Sequence, residues 1–307
     1  MRCRQFHNQP PDSPLQRWLT ALWEAVNAET GGALDVSVCP RNDGIPGGDP
    51  EALRMLVAGE VEFYTLMGGL LGAVAPVAEI TGVPFAFRSH AHVFEAMDGA
   101  LGDFLRQELL AKGIYALPRA CFENGFRQIT TRARPIRTVD DLAGLRIRTP
   151  AGRLFVDFFE TLGARPTAIT LNRLYDALET GAVEAQENPL VMVEVNRLYE
   201  VQTHLSLTSH MWSGFNLLAN LEAWRALPPD VRATVERNAA TYAALQRRET
   251  DATNHALVEG LAARGMLVNE ADAGSFRRRL GGFYARWKRE FGATAWGLLE
   301  AHAGPLT

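Results

Sequence analysis

Lysine is nearly missing from this 307-residue chain: only Lys112 and Lys288 are present, beside 29 arginines (31 basic residues less 2). The skew fits an arginine-rich codon habit, so most arginines belong to solvated surface and need local context before they mean anything. An excess of positive charge is missing too, with a formal net charge of −4 and 21% charged residues. That excludes the basic face of a nucleic-acid binder but leaves a small anionic ligand open, because local arginines decide that. Cysteine is scarce: Cys3, Cys39 and Cys121 make an odd number without a C-x-x-C pair. Neither a disulfide framework nor a zinc set is specified, and buried thiols are expected, with a bridge between one pair open in an exported protein. No run reaches the roughly 18 apolar residues of a membrane span; the most apolar window, 66–83, is broken by glycines, Pro76 and Glu79.

Catalytic and cofactor signatures are absent as well. Gly68, Gly69 and Gly72 do not fit G-x-G-x-x-G, and no G-K-[ST] follows. There is no G-x-S-x-G elbow. His90-x-His92 has no third ligand at metal spacing, and Asp140-Asp141 read as helix-start residues rather than an acid–base pair. No catalytic residue, metal or cofactor is therefore expected. The opening Met1-Arg2-Cys3-Arg4 shows no signal-peptide pattern, which points either to the cytoplasm or to an export signal that has been removed.

What is present is a large apolar fraction, 47%, over a length that suits two domains rather than one. Residues 2–7, 34–39 and 63–66 read as strands, with helices opening at Ser13-Pro14 and at Asp49-Pro50. Helices over 90–112 and a strand over 114–121 follow. This strand–helix alternation calls for α/β architecture with a parallel sheet. A second series runs over 128–131, 144–149, 168–169 and 183–186, with a helical face of Leu154, Phe155, Phe158, Phe159 and Leu162. Residues 204–209 and 213–220 read as strands returning to the first domain. From Pro229 a helix of about 30 residues, roughly 45 Å long, is expected, and helices over 272–281 and 283–303 complete the chain.

The stretch from Asn124 to Pro189 organises the rest. It contains Asn124-Gly125-Phe126-Arg127-Gln128, Gly144-Leu145-Arg146-Ile147-Arg148-Thr149-Pro150 and Gln186-Glu187-Asn188-Pro189. The spacing sets Arg127, Arg148 and Asn188 at the ends of neighbouring elements, converging on a carboxylate. A guanidinium offers paired donors that match a carboxylate's two oxygens, and an amide both donates and accepts. Each has a structural alternative. Arg148 is one arginine among many, Arg127 is within reach of an ion pair with Glu123 or Glu187, and Asn188 can cap the helix after Pro189. Asn124-Gly125 reads as a turn.

On these motifs, with Gly47-Gly48-Asp49 and Tyr199-Glu200-Val201-Gln202, the chain resembles the solute-binding proteins of the tripartite ATP-independent periplasmic (TRAP) transporters, of the C4-dicarboxylate-binding DctP type. The resemblance implies a two-lobed periplasmic-binding-protein-like α/β fold, with a ligand cleft between lobes that close and a long helix bracing both. One lobe is expected from 1–123 with 212–251, the other from 124–211 with 252–307. It implies that Arg148 binds the ligand carboxylate, that Arg127 is a second arginine used by some members, and that Asn188 assists. His210, Trp212, Phe215 and Asn216 are expected on the return strands facing the ligand, with Gln9, His7 and Met67 from the opposite lobe and Glu123 as a hydroxyl acceptor. Members that bind sialic acid carry a glutamate in the loop after the third strand, where this chain reads Leu66-Met67-Gly68-Gly69.

The expected activity is that of an extracytoplasmic receptor without chemistry of its own, which delivers a small organic acid to TRAP membrane subunits. A periplasmic monomer is implied, with no nucleic-acid partner. A hydroxylated sugar acid, a uronate or aldonate, suits the polar candidates. Trp212 and Phe215 equally suit an aromatic acid, and a C4 acid remains open. An enzyme acting on an organic acid is the alternative class, although no activated nucleophile or base is visible; a sensory module would need a signalling domain.

Overall fold

The computed structural model describes residues 1–307, and it forms two compact units. The first comprises residues 1–78, 97–123 and 214–251, and the second 79–96, 124–213 and 252–307. The sequence reading had the first unit run unbroken to residue 123, whereas Glu79–Ala96 belongs with the second.

The strands are β1 (Arg2–His7), β2 (Asp35–Cys39), β3 (Phe63–Met67), β4 (Ile114–Thr131), β5 (Arg146–Thr149), β6 (Arg165–Ala168), β7 (Ala185–Pro189), β8 (His204–Leu207), β9 (Trp212–Asn220) and β10 (Leu267–Glu270). The α-helices are α1 (Pro14–Glu29), α2 (Asp49–Ala58), α3 (His90–Met97), α4 (Ala100–Leu110), α5 (Arg153–Thr161), α6 (Leu174–Glu179), α7 (Leu190–Val195), α8 (Leu221–Ala226), α9 (Pro229–Ala263), α10 (Ala273–Arg277) and α11 (Gly281–Ala303).

In the first unit β1 lies between β2 and β3, parallel to both, and β9 pairs antiparallel with β3. The local chemistry explains the helices around it. Ser13 Oγ accepts from Gln16 N at 3.2 Å and Pro14 takes the first helical position, so α1 starts there. Its Leu15, Leu19, Leu22, Trp23 and Val26 form one buried stripe. Gly59, at φ 77, closes α2 in the left-handed region. A core of Phe6, Leu53, Leu56, Tyr64, Leu66 and Leu218 fills the space between sheet and helices.

In the second unit β4 pairs antiparallel with both β7 and β8. Beyond β7 come β5 and then β6, each parallel to its neighbour, and β10 runs parallel to β8. Leu174, Leu178, Val193, Leu198, Leu205 and Leu261 form one core cluster of this unit. The long helix α9 has 35 residues, and α11 is interrupted at Gly292, whose φ is 82.

A local expectation also fails. Asn124-Gly125 is not a turn between two strands, because β4 runs unbroken through 18 residues. Gly125 sits within the strand at φ 118, a region open to glycine. Asn124 Nδ2 donates to Ser213 Oγ at 3.1 Å, so the polar side chain is used within the sheet rather than in a turn.

Candidate functional site

Parallel strands place their carboxyl ends on one edge of a sheet, where α/β proteins gather their ligands. In the second unit β5 and β7 are parallel, with Arg148 opposite Gln186. The antiparallel β4 puts Arg127 opposite Pro189 and Gln128 opposite Asn188. Arg127, Arg148 and Asn188 therefore share the carboxyl edge of this sheet, but Arg127 lies inside the unbroken β4 and not, as the spacing suggests, at the end of an element. All three are buried, at 1%, 3% and 4% exposure. Arg148 lies one residue before the end of β5, with Pro150 following directly. Its Nε donates to Ile169 O at 2.7 Å, which orients the guanidinium plane.

Arg127 is held by a carboxylate. It pairs with Glu187 through Nε and Oε2, and its Nη2 donates to Glu187 Oε1 and to Glu187 O, both at 2.8 Å. Nη1 donates to Ser213 Oγ at 3.3 Å, and the guanidinium lies 5.1 Å from the centre of the Phe155 ring. His210 Nε2 sits 3.2 Å from Glu187 Oε2, and its Nδ1 lies 2.8 Å from Thr208 Oγ1. The carboxylate can only accept, so Nε2 carries the proton and Nδ1 accepts from the threonine hydroxyl. Burial pushes the His210 pKa down, outweighing the pull of the Glu187 carboxylate, so the ring is neutral at pH 7. Burial acts to raise the Glu187 pKa, but the Arg127 charge and the bonds from His210 and Arg127 leave it below the usual carboxylate range. The cluster therefore carries one positive and one negative charge, both out of water, each compensated by the other.

Asn188 is fixed at both ends of its amide: Oδ1 accepts from Arg127 Nη2 at 3.1 Å, and Nδ2 donates to Gln186 Oε1 at 2.6 Å. It caps no helix with its side chain; the residue at the start of α7 is Pro189, without a side-chain cap bond.

Helix α5 forms the apolar wall of this cluster. Phe155 faces Arg127, Phe158 stacks on His210 with ring centres 5.4 Å apart, and Phe159 meets His210 edge-on. Gly152 provides no capping side chain for α5. Glu79 supplies it from 75 residues upstream, accepting from Leu154 N at 2.6 Å. Burial raises the Glu79 pKa, against the bonds from the Leu154 and Arg153 backbone and the Arg153 charge.

Two further candidates of this unit are core residues. His210 is fully buried between β8 and β9 rather than on a strand. Trp212 opens β9 at 3% exposure and is met edge-on by Phe87 and Phe94, ring centres 6.2 and 6.0 Å away.

The first unit gathers its own set. His7 ends β1 and Met67 ends β3, two parallel strands, and Phe215 and Asn216 face Met67 and Leu66 from the antiparallel β9. Met67 is thus a strand residue and not part of the following loop. His7 is fully buried: Gln9 N donates to its Nδ1 at 3.2 Å, so Nε2 carries the proton and donates to Gln16 Oε1 at 2.6 Å. Burial pushes its pKa down to about 4, against the Gln16 bond. Gln9 and Phe215 are buried and Asn216 is half-buried. Glu123 is 4% exposed, and its backbone is gripped by the Gln246 amide, with bonds of 2.7 Å to N and 2.8 Å to O.

Sequence reasoning passed over Glu79, Thr208 and Ser213, and treated Glu187 only as a structural partner for Arg127. The signal for Glu187 was there: a glutamate inside a buried strand needs a cation beside it. Glu79 had none, because its partner is a backbone N–H remote in sequence.

Residues 6–290 match the family model of the bacterial extracellular solute-binding proteins, family 7, DctP. The 2,3-diketo-L-gulonate-binding periplasmic protein of Escherichia coli is 29% identical over 259 residues, covering 84% of this chain and 78% of that protein. Two solved structures superpose over nearly the whole chain. A TRAP periplasmic solute-binding protein of Polaromonas sp. bound to D-erythronate gives a TM-score of 0.93 at 29% identity, covering 100% of this chain and 99% of that one. One of Sulfitobacter sp. with bound β-D-galacturonate gives 0.93 at 26% identity, covering 99% and 100%.

Proposed function

The chain belongs to the bacterial extracellular solute-binding proteins of family 7, the DctP family, and from that premise we propose that it binds a hydroxylated sugar acid, a uronate or aldonate, and hands it unchanged to TRAP membrane subunits outside the cytoplasm. The observation that carries this reading is the shared sheet edge of the second unit, where Arg148, Arg127 and Asn188 lie buried side by side. Arg148 takes the carboxylate. Its guanidinium is buried and already oriented by Ile169 O, so little ordering remains when the anion arrives, and a charge-assisted bond there contributes about 1.5–3 kcal/mol. Arg127, its charge compensated by Glu187, acts by orienting Asn188, whose Oδ1 accepts from its Nη2. Asn188 serves a carboxylate or hydroxyl oxygen.

The polar groups Gln9 and Asn216 at the carboxyl edge of the first unit's sheet suit a polyhydroxylated ligand, whereas both ring nitrogens of His7 are taken up by Gln9 N and Gln16 Oε1. An aromatic acid fits less well, since it would have to share the Trp212 ring with Phe87 and Phe94. Relatives support the sugar acid, since the proteins named above carry a diketo-gulonate, an erythronate and a galacturonate. The reading assigns no catalytic step, a role as monomer, and no nucleic-acid partner.

A thermal-shift screen over uronates, aldonates, C4-dicarboxylates and aromatic acids tests it. A ligand at 100 times its Kd stabilises the protein by about 2.7 kcal/mol. The reading expects a rise in Tm with one or more sugar acids and no turnover of the acid. A shift confined to aromatic acids, or conversion of the bound acid, would overturn it.

A further inference from the structure

Asn188 stands at one end of a run of buried polar side chains. Asn188 and Gln186 are two residues apart on β7 and share a face, and Gln186 is directly opposite Thr130 on β4. Gln202 lies beyond Thr130, after the turn at Leu198–Glu200. Arg127 Nη2 donates to Asn188 Oδ1 at 3.1 Å, and Asn188 Nδ2 donates to Gln186 Oε1 at 2.6 Å. Gln186 Nε2 donates to Thr130 Oγ1 at 2.8 Å. Thr130 Oγ1 donates to Gln202 Oε1 at 3.1 Å, and Gln202 Nε2 donates to Val201 O at 2.9 Å. Every side chain in the run is at most 4% exposed.

The polarity of this run is locked from both ends. A guanidinium can only donate, and a backbone carbonyl can only accept. Between those limits each amide has one orientation and the threonine hydroxyl one direction. Turning any amide over would set oxygen against oxygen and nitrogen against nitrogen in the interior, where unmade bonds are expensive. The amide of Asn188 thus has its oxygen towards Arg127 and its nitrogen towards Gln186, and what remains for a further contact is one N–H and one lone pair.

We propose that Gln202 is a positioning residue for anionic-ligand binding, acting through Thr130 and Gln186 to fix the amide of Asn188 so that it offers an N–H to a ligand oxygen. The proposal rests on the reading that Asn188 contacts the ligand. Gln202 itself touches nothing at the carboxyl edge, so its effect passes wholly through the run. Thr130 is the most economical place to cut it, since Thr130→Val removes the hydroxyl and keeps a β-branched strand residue, while Thr130→Ser keeps the hydroxyl.

The test has two readouts. In the ligand-free protein, hydrogen exchange of the Asn188 side-chain amide is followed by NMR in the wild type and in Gln202→Leu, Thr130→Val and Thr130→Ser. Exchange is expected to quicken about tenfold in the first two variants and to stay near the wild-type rate in Thr130→Ser. In calorimetric titrations with D-galacturonate and D-erythronate, Gln202→Leu and Thr130→Val are expected to weaken binding about tenfold. In an Asn188→Ala background neither is expected to weaken it further, the signature of coupling through one network. Unchanged exchange in both cut variants, or losses that add to that of Asn188→Ala, would overturn the proposal. If the wild type binds neither acid, the titrations use whichever sugar acid shifts Tm most; if none binds, the functional reading fails at that step, and the exchange rates still decide the run.

Discussion

Acid should weaken this protein through His7, by an amount the structure sets. The imidazole is fully buried, with Nδ1 accepting from Gln9 N and Nε2–H donating to Gln16 Oε1. A second proton would have to go on Nδ1, where it would face the Gln9 N–H. Burial accordingly lowers the pKa from 6.5 to about 4. Between those values the unfolded chain binds a proton that the folded chain refuses, so stability falls as pH falls. The contribution is whole above pH 6.5, is lost progressively towards pH 4, and changes no further below it. At about 1.4 kcal/mol per pH unit, an interval of 6.5 − 4 = 2.5 units amounts to about 3 kcal/mol. His7→Gln keeps an oxygen for Gln9 N–H and an N–H for Gln16 but cannot titrate. Urea denaturation of both proteins at intervals from pH 7.5 to 4 gives the difference directly. The wild type is expected to lose about 3 kcal/mol relative to His7→Gln across that span. Parallel curves would refute the assignment of a neutral, buried His7.

Three further outcomes follow from single contacts. Glu187→Gln removes the charge that Arg127 pairs with in the interior, and a lower urea midpoint at unchanged m, by about 3–5 kcal/mol, is expected. Gly125→Ala forces a Cβ onto a residue at φ 118 and to within 3.3 Å of Pro189 Cβ; a loss of about 1–3 kcal/mol, read as a fall in Tm, is expected. Glu79→Ala removes the cap of α5 and should lower stability by about 1–2 kcal/mol in urea, while Glu79→Gln, which keeps an oxygen for Leu154 N, should lower it less.

Where local chemistry decides the structure, the sequence was a good guide. Ser13-Pro14 start α1 because a hydroxyl and a fixed φ are what a first helical turn needs. The strand carrying Arg148 ends at Thr149 because Pro150 follows and its ring stops the ladder. The strand spacing also put Arg127, Arg148 and Asn188 on one edge. Where partners are distant, the sequence was silent. Asn124-Gly125 looks like a turn in isolation, and only the pairing of β4 with β7 and β8, and the Asn124–Ser213 bond, show why the strand continues. The short β10, Leu267–Glu270, exists because β8 offers an edge, not because four residues with Asn269 and Glu270 favour a strand. Glu79 caps a helix from 75 residues away, and no spacing rule reaches that far. Trp212 read as a ligand wall because aromatic type was visible and its neighbours Phe87 and Phe94 were not.

On the proposed reading, Arg148 grips the carboxylate of the transported acid. Calorimetric titration of D-galacturonate, or of whichever sugar acid shifts Tm most, into the wild type and Arg148→Ala tests it most directly. Two charge-assisted bonds at about 1.5–3 kcal/mol each predict a loss of roughly a hundredfold or more in affinity, with the unfolding midpoint of the ligand-free protein little changed. Equal affinity in the two proteins would mean that Arg148 does not hold the carboxylate.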